Sequence, residues 1–126
     1  MPARIVVVHD EPTFVKEVEN SLRDAGHDVA GFVDPMHALD ALESARRVEV
    51  LITRVQFPAG KPHGIALALM ARSRCPGIKV LFCALPRFET DAEGLGEFMP
   101  LPVSIVEVVE AVARLLTDRP PASLGR

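Results

Sequence analysis

The chain is predicted to be an α/β protein with one parallel sheet covered by helices on both faces. Two features predict this. Short apolar runs rich in Val and Ile recur along the chain, each bounded by charged or turn-forming residues, as in strands buried on both sides. Between them lie stretches whose apolar residues repeat at helical spacing, so that strand and helix alternate five times.

Residues 4–9 (RIVVVH) are β-branched through their middle and suit the centre of a parallel sheet. The turn His9-Asp10-Glu11-Pro12 leads into a helix with Phe14, Val15, Val18, Leu22 and Ala25 on one stripe and Gly26 as its stop. Residues 28–33 (DVAGFV) are the second strand. Asp34-Pro35 starts a helix, with an Asp cap and Pro in the first turn, and Ala38, Leu39, Leu42 and Ala45 are its buried stripe. The third strand opens with Val50-Leu51-Ile52, and its segment VLITRVQFP ends on the turn signal Pro58. A helix from Gly64 to Cys75 is expected to bury Ile65, Leu69 and Met70 before Pro76-Gly77 stops it.

Residues 78–84 (IKVLFCA) are the fourth strand. Residues 85–96 are the least regular stretch, with room for a short helix around 89–93. Residues 97–101 (EFMPL) are a weak fifth strand, placed at an edge because Pro100 cannot donate to a ladder. Ser104 and Glu107 have capping-box spacing, and the helix they open lines Val108, Val109, Val112, Leu115 and Leu116 along one face. Residues 1–118 are read as one domain and 119–126 as a flexible tail.

A length of 126 residues suits one domain with a proper core, and an apolar content of 48% argues against disorder. The net charge of −3 and the scattered arginines argue against a nucleic-acid-binding face. No apolar run approaches the ~18 residues of a membrane span. The first residues lack the apolar core of a secretory signal, so a cytoplasmic location is expected. Cys75 and Cys83 lack metal-ligand spacing, and neither metal nor cofactor is expected.

In open α/β sheets the chemistry lies just past the carboxyl ends of the strands, which points to Thr53 and Arg54. A guanidinium is always charged and cannot act as a nucleophile. Arg54 is expected to pair with Asp10; the plainer alternative is a surface charge turned to solvent. Glu11 is expected to cap the helix that follows it. His9, His63 and Asp10 could approach one rim, but without fixed spacing they are weak evidence for a transition metal. Cys83 reads as a structural core thiol rather than a nucleophile, and Phe98 as a packed ring. His27 and His37 read as solvated.

Several of these segments together resemble the receiver domain of two-component response regulators, over residues 4–117. VVVHDEP is similar to the acidic-pair motif after the first strand, with His9 at the first carboxylate position and Asp10 at the second; Glu11 and Pro12 also fit. VLITRVQFP is similar to the phosphoacceptor motif, an Asp four residues before a Pro, but the acceptor position holds Arg54. Cys83-Ala84 stands where the family has Thr or Ser followed by Ala. In EFMPLP, Phe98 holds the aromatic switch position, Leu101 the Lys position, and Pro102 the Pro. The segment 83–98 looks about one helical turn short for the family.

The resemblance implies a flavodoxin-like (βα)5 three-layer sandwich with strand order 2-1-3-4-5. It also implies that the family's chemistry is missing. That chemistry needs a carboxylate nucleophile, Mg²⁺ on acidic residues, a Lys and a hydroxyl. A divalent ion ~4 Å from the Arg54 guanidinium would be repelled by ~8 kcal/mol at an effective dielectric of about 20, which cancels a site of about micromolar affinity. The expected function is therefore a non-enzymatic pseudo-receiver. It would act through protein contacts made by the last helix and the shortened segment before it, with another protein or a second copy as partner, and with neither nucleic acid nor membrane. The alternative is a small-molecule or redox-sensing domain of the same shape, although no glycine-rich phosphate loop follows any strand.

Overall fold

The computed structural model of the chain describes residues 4–44, 47–57 and 63–117. The elements run β1 (Arg4–Val8), α1 (Pro12–Asp24), β2 (Asp28–Phe32), α2 (Pro35–Ser44), β3 (Val50–Thr53), α3 (Gly64–Arg74), β4 (Lys79–Ala84), α4 (Glu89–Ala92), β5 (Glu97–Pro100) and α5 (Ile105–Thr117). A single 3₁₀ turn, Pro86–Phe88, precedes α4. The strands form one parallel sheet of order β2-β1-β3-β4-β5. This is the flavodoxin-like order, with β5 at an edge as Pro100 requires.

Side chains alternate between the two faces of a strand, and the sheet accordingly divides the core in two. Val6, Val8, Leu51, Val80 and Phe82 face one way and pack with residues of α2, α3 and α4. Ile5, Val7, Val50, Ile52, Leu81 and Cys83 face the other and pack with α1 and α5. β3 is covered on both sides and buried throughout, apolar at Val50, Leu51 and Ile52 and closed by Thr53, whose hydroxyl is hydrogen-bonded.

The helix ends follow local chemistry. The Met36 amide donates to Asp34 Oδ1 at 2.9 Å, closing the cap expected at Asp34-Pro35. In the capping box of α5, the Glu107 amide donates to Ser104 Oγ at 3.1 Å and the Ser104 amide to Glu107 Oε1 at 2.9 Å. Gly26 ends α1 with φ +97°, a conformation that only glycine adopts without strain.

Three expectations about faces and boundaries are corrected. Ala25 is exposed at the end of α1, because the chain has already left the helical path toward β2. Leu69 and Met70 are 52% and 42% exposed, and Ile65 is only half-buried, so α3 does not bury the expected stripe. It buries Gly64, Leu67, Ala68 and Ala71. The physical reason lies at Gly64, where a Cβ would come within 1.7 Å of the Arg54 carbonyl oxygen. Gly64 must therefore face the sheet, and the positions three, four and seven residues later follow it inward. Strand ends differ from expectation by one residue, with His9, Val33, Ile78 and Leu101 falling just outside. Ala45, Pro58, Asp118 and the tail 119–126 lie outside the described residues.

Candidate functional site at the carboxyl ends of β1 and β3

β1 and β3 are hydrogen-bonded neighbours, with Val8 opposite Thr53. The residues that follow each strand, His9-Asp10 and Arg54, therefore emerge side by side. Arg54 Nη1 donates to Asp10 Oδ1 at 2.5 Å, the ion pair expected from the sequence. The Arg54 side chain is 20% exposed, so it lies along the strand ends instead of turning to solvent. Its Nε is buried with no protein partner among the described residues. Thr53 does not project into the site; it is fully buried and donates its hydroxyl to the Arg54 carbonyl at 3.0 Å.

Residues beneath the pair hold it in place. The Gly64 amide donates to the Val55 carbonyl at 2.7 Å, which ties the start of α3 to the exit of β3. Gly64 and Thr53 together fix the backbone on both sides of Arg54. Gly64 was not singled out from the sequence as part of the site. The sequence places a glycine at the start of this helix, but the close backbone approach that requires it is a tertiary contact.

His9 is not on a rim. It is 3% exposed, and its ring lies 4.5 Å from that of Phe14 on α1. Continuing the alternation of Ile5 and Val7 points it at the α1 face, so period-two counting along residues 5–9 would have found its burial. Its Nδ1 accepts the Glu11 amide at 3.3 Å, which places the proton of the neutral ring on Nε2; that nitrogen has no protein partner among the described residues. Burial, helped by the Arg54 charge and opposed by Asp10, lowers the His9 pKa from 6.5 to about 4. Glu11 occupies the N-cap position of α1, but its side chain makes no capping bond, contrary to expectation. His63 is exposed and opens onto the groove between α3 and α4. Among the described residues, no three His, Cys, Asp or Glu side chains are grouped closely enough to hold a metal ion. His37 is exposed, whereas His27 is half-buried and not simply solvated.

The remaining site positions line the β4–β5 corner. Cys83 is fully buried, and burial pushes its thiol up to about 12. Leu101 is half-buried and packs on the same cluster as Cys83, with a cis peptide to Pro102. Phe98 is half-buried on the opposite face, at the edge of an open concavity of about 570 Å³ beside α4. The donor set that Mg²⁺ prefers is carboxylate and water oxygen in octahedral array. Here the inward carboxylate, Asp10, is bound by a guanidinium, and Glu11 is exposed.

No family model and no curated protein matches the chain. Solved structures do. A response regulator receiver protein from Sinorhizobium medicae superposes with a TM-score of 0.82 at 21% identity, over 94% of this chain and 98% of that one. The BeF3-activated DrrB receiver domain gives a TM-score of 0.80 at 21% identity, over 94% of this chain and 100% of its own. The fold is that of receiver domains. The receiver domain of the hybrid histidine kinase CckA has the same fold at 28% identity, with a TM-score of 0.76 over 91% of this chain and 100% of that one. Because each is matched over nearly its full length, the described residues hold all the elements of a receiver fold. Among them no helix is long and apolar enough to cross a membrane.

Proposed function

We propose that the chain is a receiver-like signalling module of two-component type that neither takes a phosphoryl group nor catalyses a reaction, and that it acts through protein contacts. The ion pair between Arg54 and Asp10 carries this reading. A guanidinium holds the carboxylate that would otherwise bind Mg²⁺, and it occupies the position from which a carboxylate would attack phosphorus. Leu101 offers no cation at the corner where charge would have to be neutralised. Cys83 offers a poor hydrogen-bond donor, turned into the core. With chemistry withdrawn, information is carried by surface shape. By analogy with the fold, the contact face is α5 with the shortened segment before it, where Val106 is 65% exposed.

The direct test is incubation with a small-molecule phosphodonor and Mg²⁺, followed by intact-mass measurement. No phosphoryl adduct is expected, and an adduct on a defined carboxylate overturns the proposal. Arg54→Asp alone is expected to restore at most a trace of labelling, because Leu101 and Cys83 remain. A redox-sensing reading would need a reactive thiol. Both Cys75 and Cys83 are buried and free, and iodoacetamide is expected to modify them only after unfolding. Alkylation of the native protein at or above the rate of a free thiol would bring that reading forward.

A further inference from the structure

An open sheet ends in two edges, each a row of backbone groups without ladder partners, and an edge left bare invites another strand. Here the edges are β2 and β5. β5 closes its own. The Leu101 amide donates to the Ala84 carbonyl at 2.9 Å, so Met99 and Leu101 bond inward and Pro100 turns outward, where its missing N–H breaks the row. β2 has no such device among its own residues. Its sequence DVAGF holds neither a proline nor a cationic side chain.

The ladder also fixes which residues of β2 look outward. The His9 amide donates to the Phe32 carbonyl at 3.1 Å, so Asp28, Ala30 and Phe32 bond toward β1, while Val29 and Gly31 present their amides and carbonyls to the edge. α1 closes one of these groups. Arg23 Nη2 donates to the Val29 carbonyl at 2.9 Å and, at 2.8 Å, to Glu19 Oε2 one turn back along the helix. The Glu19 side chain is only 16% exposed. Gly31 leaves it room, since a Cβ there would come within 3.0 Å of Glu19 Oε1 and 2.7 Å of Val15 Cγ1. An arginine in the last turn of a helix also suits the helix dipole, but any cation would do that without reaching the Val29 carbonyl.

We infer that the outer edge of β2 is a pairing surface for a second copy of this chain, and that Arg23, anchored by Glu19, keeps it closed. The edge is self-complementary. About a two-fold axis at Ala30 the two β2 strands run antiparallel, and each Gly31 amide meets the Val29 carbonyl of the other copy. Ala30, small and exposed, faces its own counterpart, and Asp28 lies opposite Phe32 instead of another carboxylate. The Arg23 guanidinium takes the acceptor on which that ladder depends. This surface is separate from α5, and the inference stands whether or not the phosphate site is silent.

The test compares the full chain with Arg23→Ala by sedimentation and by amide hydrogen exchange over a range of protein concentrations. Arg23→Ala is expected to self-associate about tenfold more tightly than the parent, as one freed acceptor in each copy allows, with protection gained at the Val29 and Gly31 amides. Adding Ala30→Lys to Arg23→Ala sets like charges against each other at the axis and is expected to return association to the parent's level. Glu19→Gln leaves Arg23 in place and weakens its anchor, so the same two amides are expected to gain protection to a smaller degree; this variant carries the test should Arg23→Ala not fold. Association of Arg23→Ala no tighter than the parent's, protection gained on α5 instead of at Val29 and Gly31, or association that Ala30→Lys leaves in place would each overturn the inference. Unchanged exchange at both amides in Glu19→Gln would do so as well.

Discussion

At the scale of single residues, Arg54 and His9 show how one strand end can be read well and misread at once. Arg54 and Asp10 follow adjacent parallel strands, and their meeting was legible through the strand order that the receiver resemblance implies; the alternation of strand and helix alone leaves that order open. Removing the guanidinium in Arg54→Ala leaves the Asp10 carboxylate half-buried without its partner. A loss of about 1–2 kcal/mol is expected, below the range for a fully buried pair because water can reach Asp10; chemical denaturation measures it. His9 was less legible, since a polar residue beside Asp10 suggests a rim. Its burial sets a pH dependence whose sign is fixed. The folded-state pKa, about 4, lies below the ordinary 6.5, so the unfolded chain binds the extra proton first as pH falls. Stability is expected to be full above about pH 6.5 and to decline as pH drops toward 4, by an amount on the order of 3 kcal/mol. His9→Phe keeps the ring contact with Phe14 and cannot be protonated. Its thermal stability is expected to change less between pH 7 and pH 4.5, and an acid limb as steep as the parent's would show that other groups cause it.

Among the elements, α3 is where sequence reading and structure part. Its sequence GIALALMARSR is apolar at nearly every early position, so periodicity offers two candidate faces and no reason to choose. A tertiary contact chooses between them, because only a residue without Cβ can sit against the Arg54 carbonyl. Gly64→Ala is therefore expected to cost several kcal/mol, beyond the typical point substitution, and to shift the Arg54 amide resonance. Gly77→Ala is the control. Nothing lies within 4 Å of a Cβ there and its φ is not left-handed, so a neutral change or a gain of about 0.5 kcal/mol is expected from the stiffer unfolded chain. Thermal melts of the two variants side by side test whether the close approach sets the register of α3. The amphipathic helices α1 and α5 were read nearly to the residue, because each has one apolar face and strong end signals in Gly26 and the Ser104–Glu107 box.

For the whole molecule, the sheet separates two apolar clusters and the candidate site sits above the seam between them. A site that supplies its own cation has no use for a divalent ion to hold its carboxylate. Millimolar Mg²⁺ is accordingly expected to leave the Tm of the parent chain unchanged. Arg54→Ala, with Asp10 released, is expected to gain Tm on the same addition, since a ligand that binds only the folded state stabilises it. A rise in the parent would mean that the ion displaces the guanidinium, and the proposed function would fail with it. Sequence alone determined the α/β class, the order in which elements occur, the caps at Asp34 and Ser104 and the edge position of β5, because hydrophobic period, turn chemistry and proline's missing donor act over a few residues. Tertiary structure decided which face of α3 turns inward, that His9 is buried against Phe14, and that Glu11 leaves its cap unmade. Each of these depends on atoms brought together from separate elements, and no local pattern contains the distance between them.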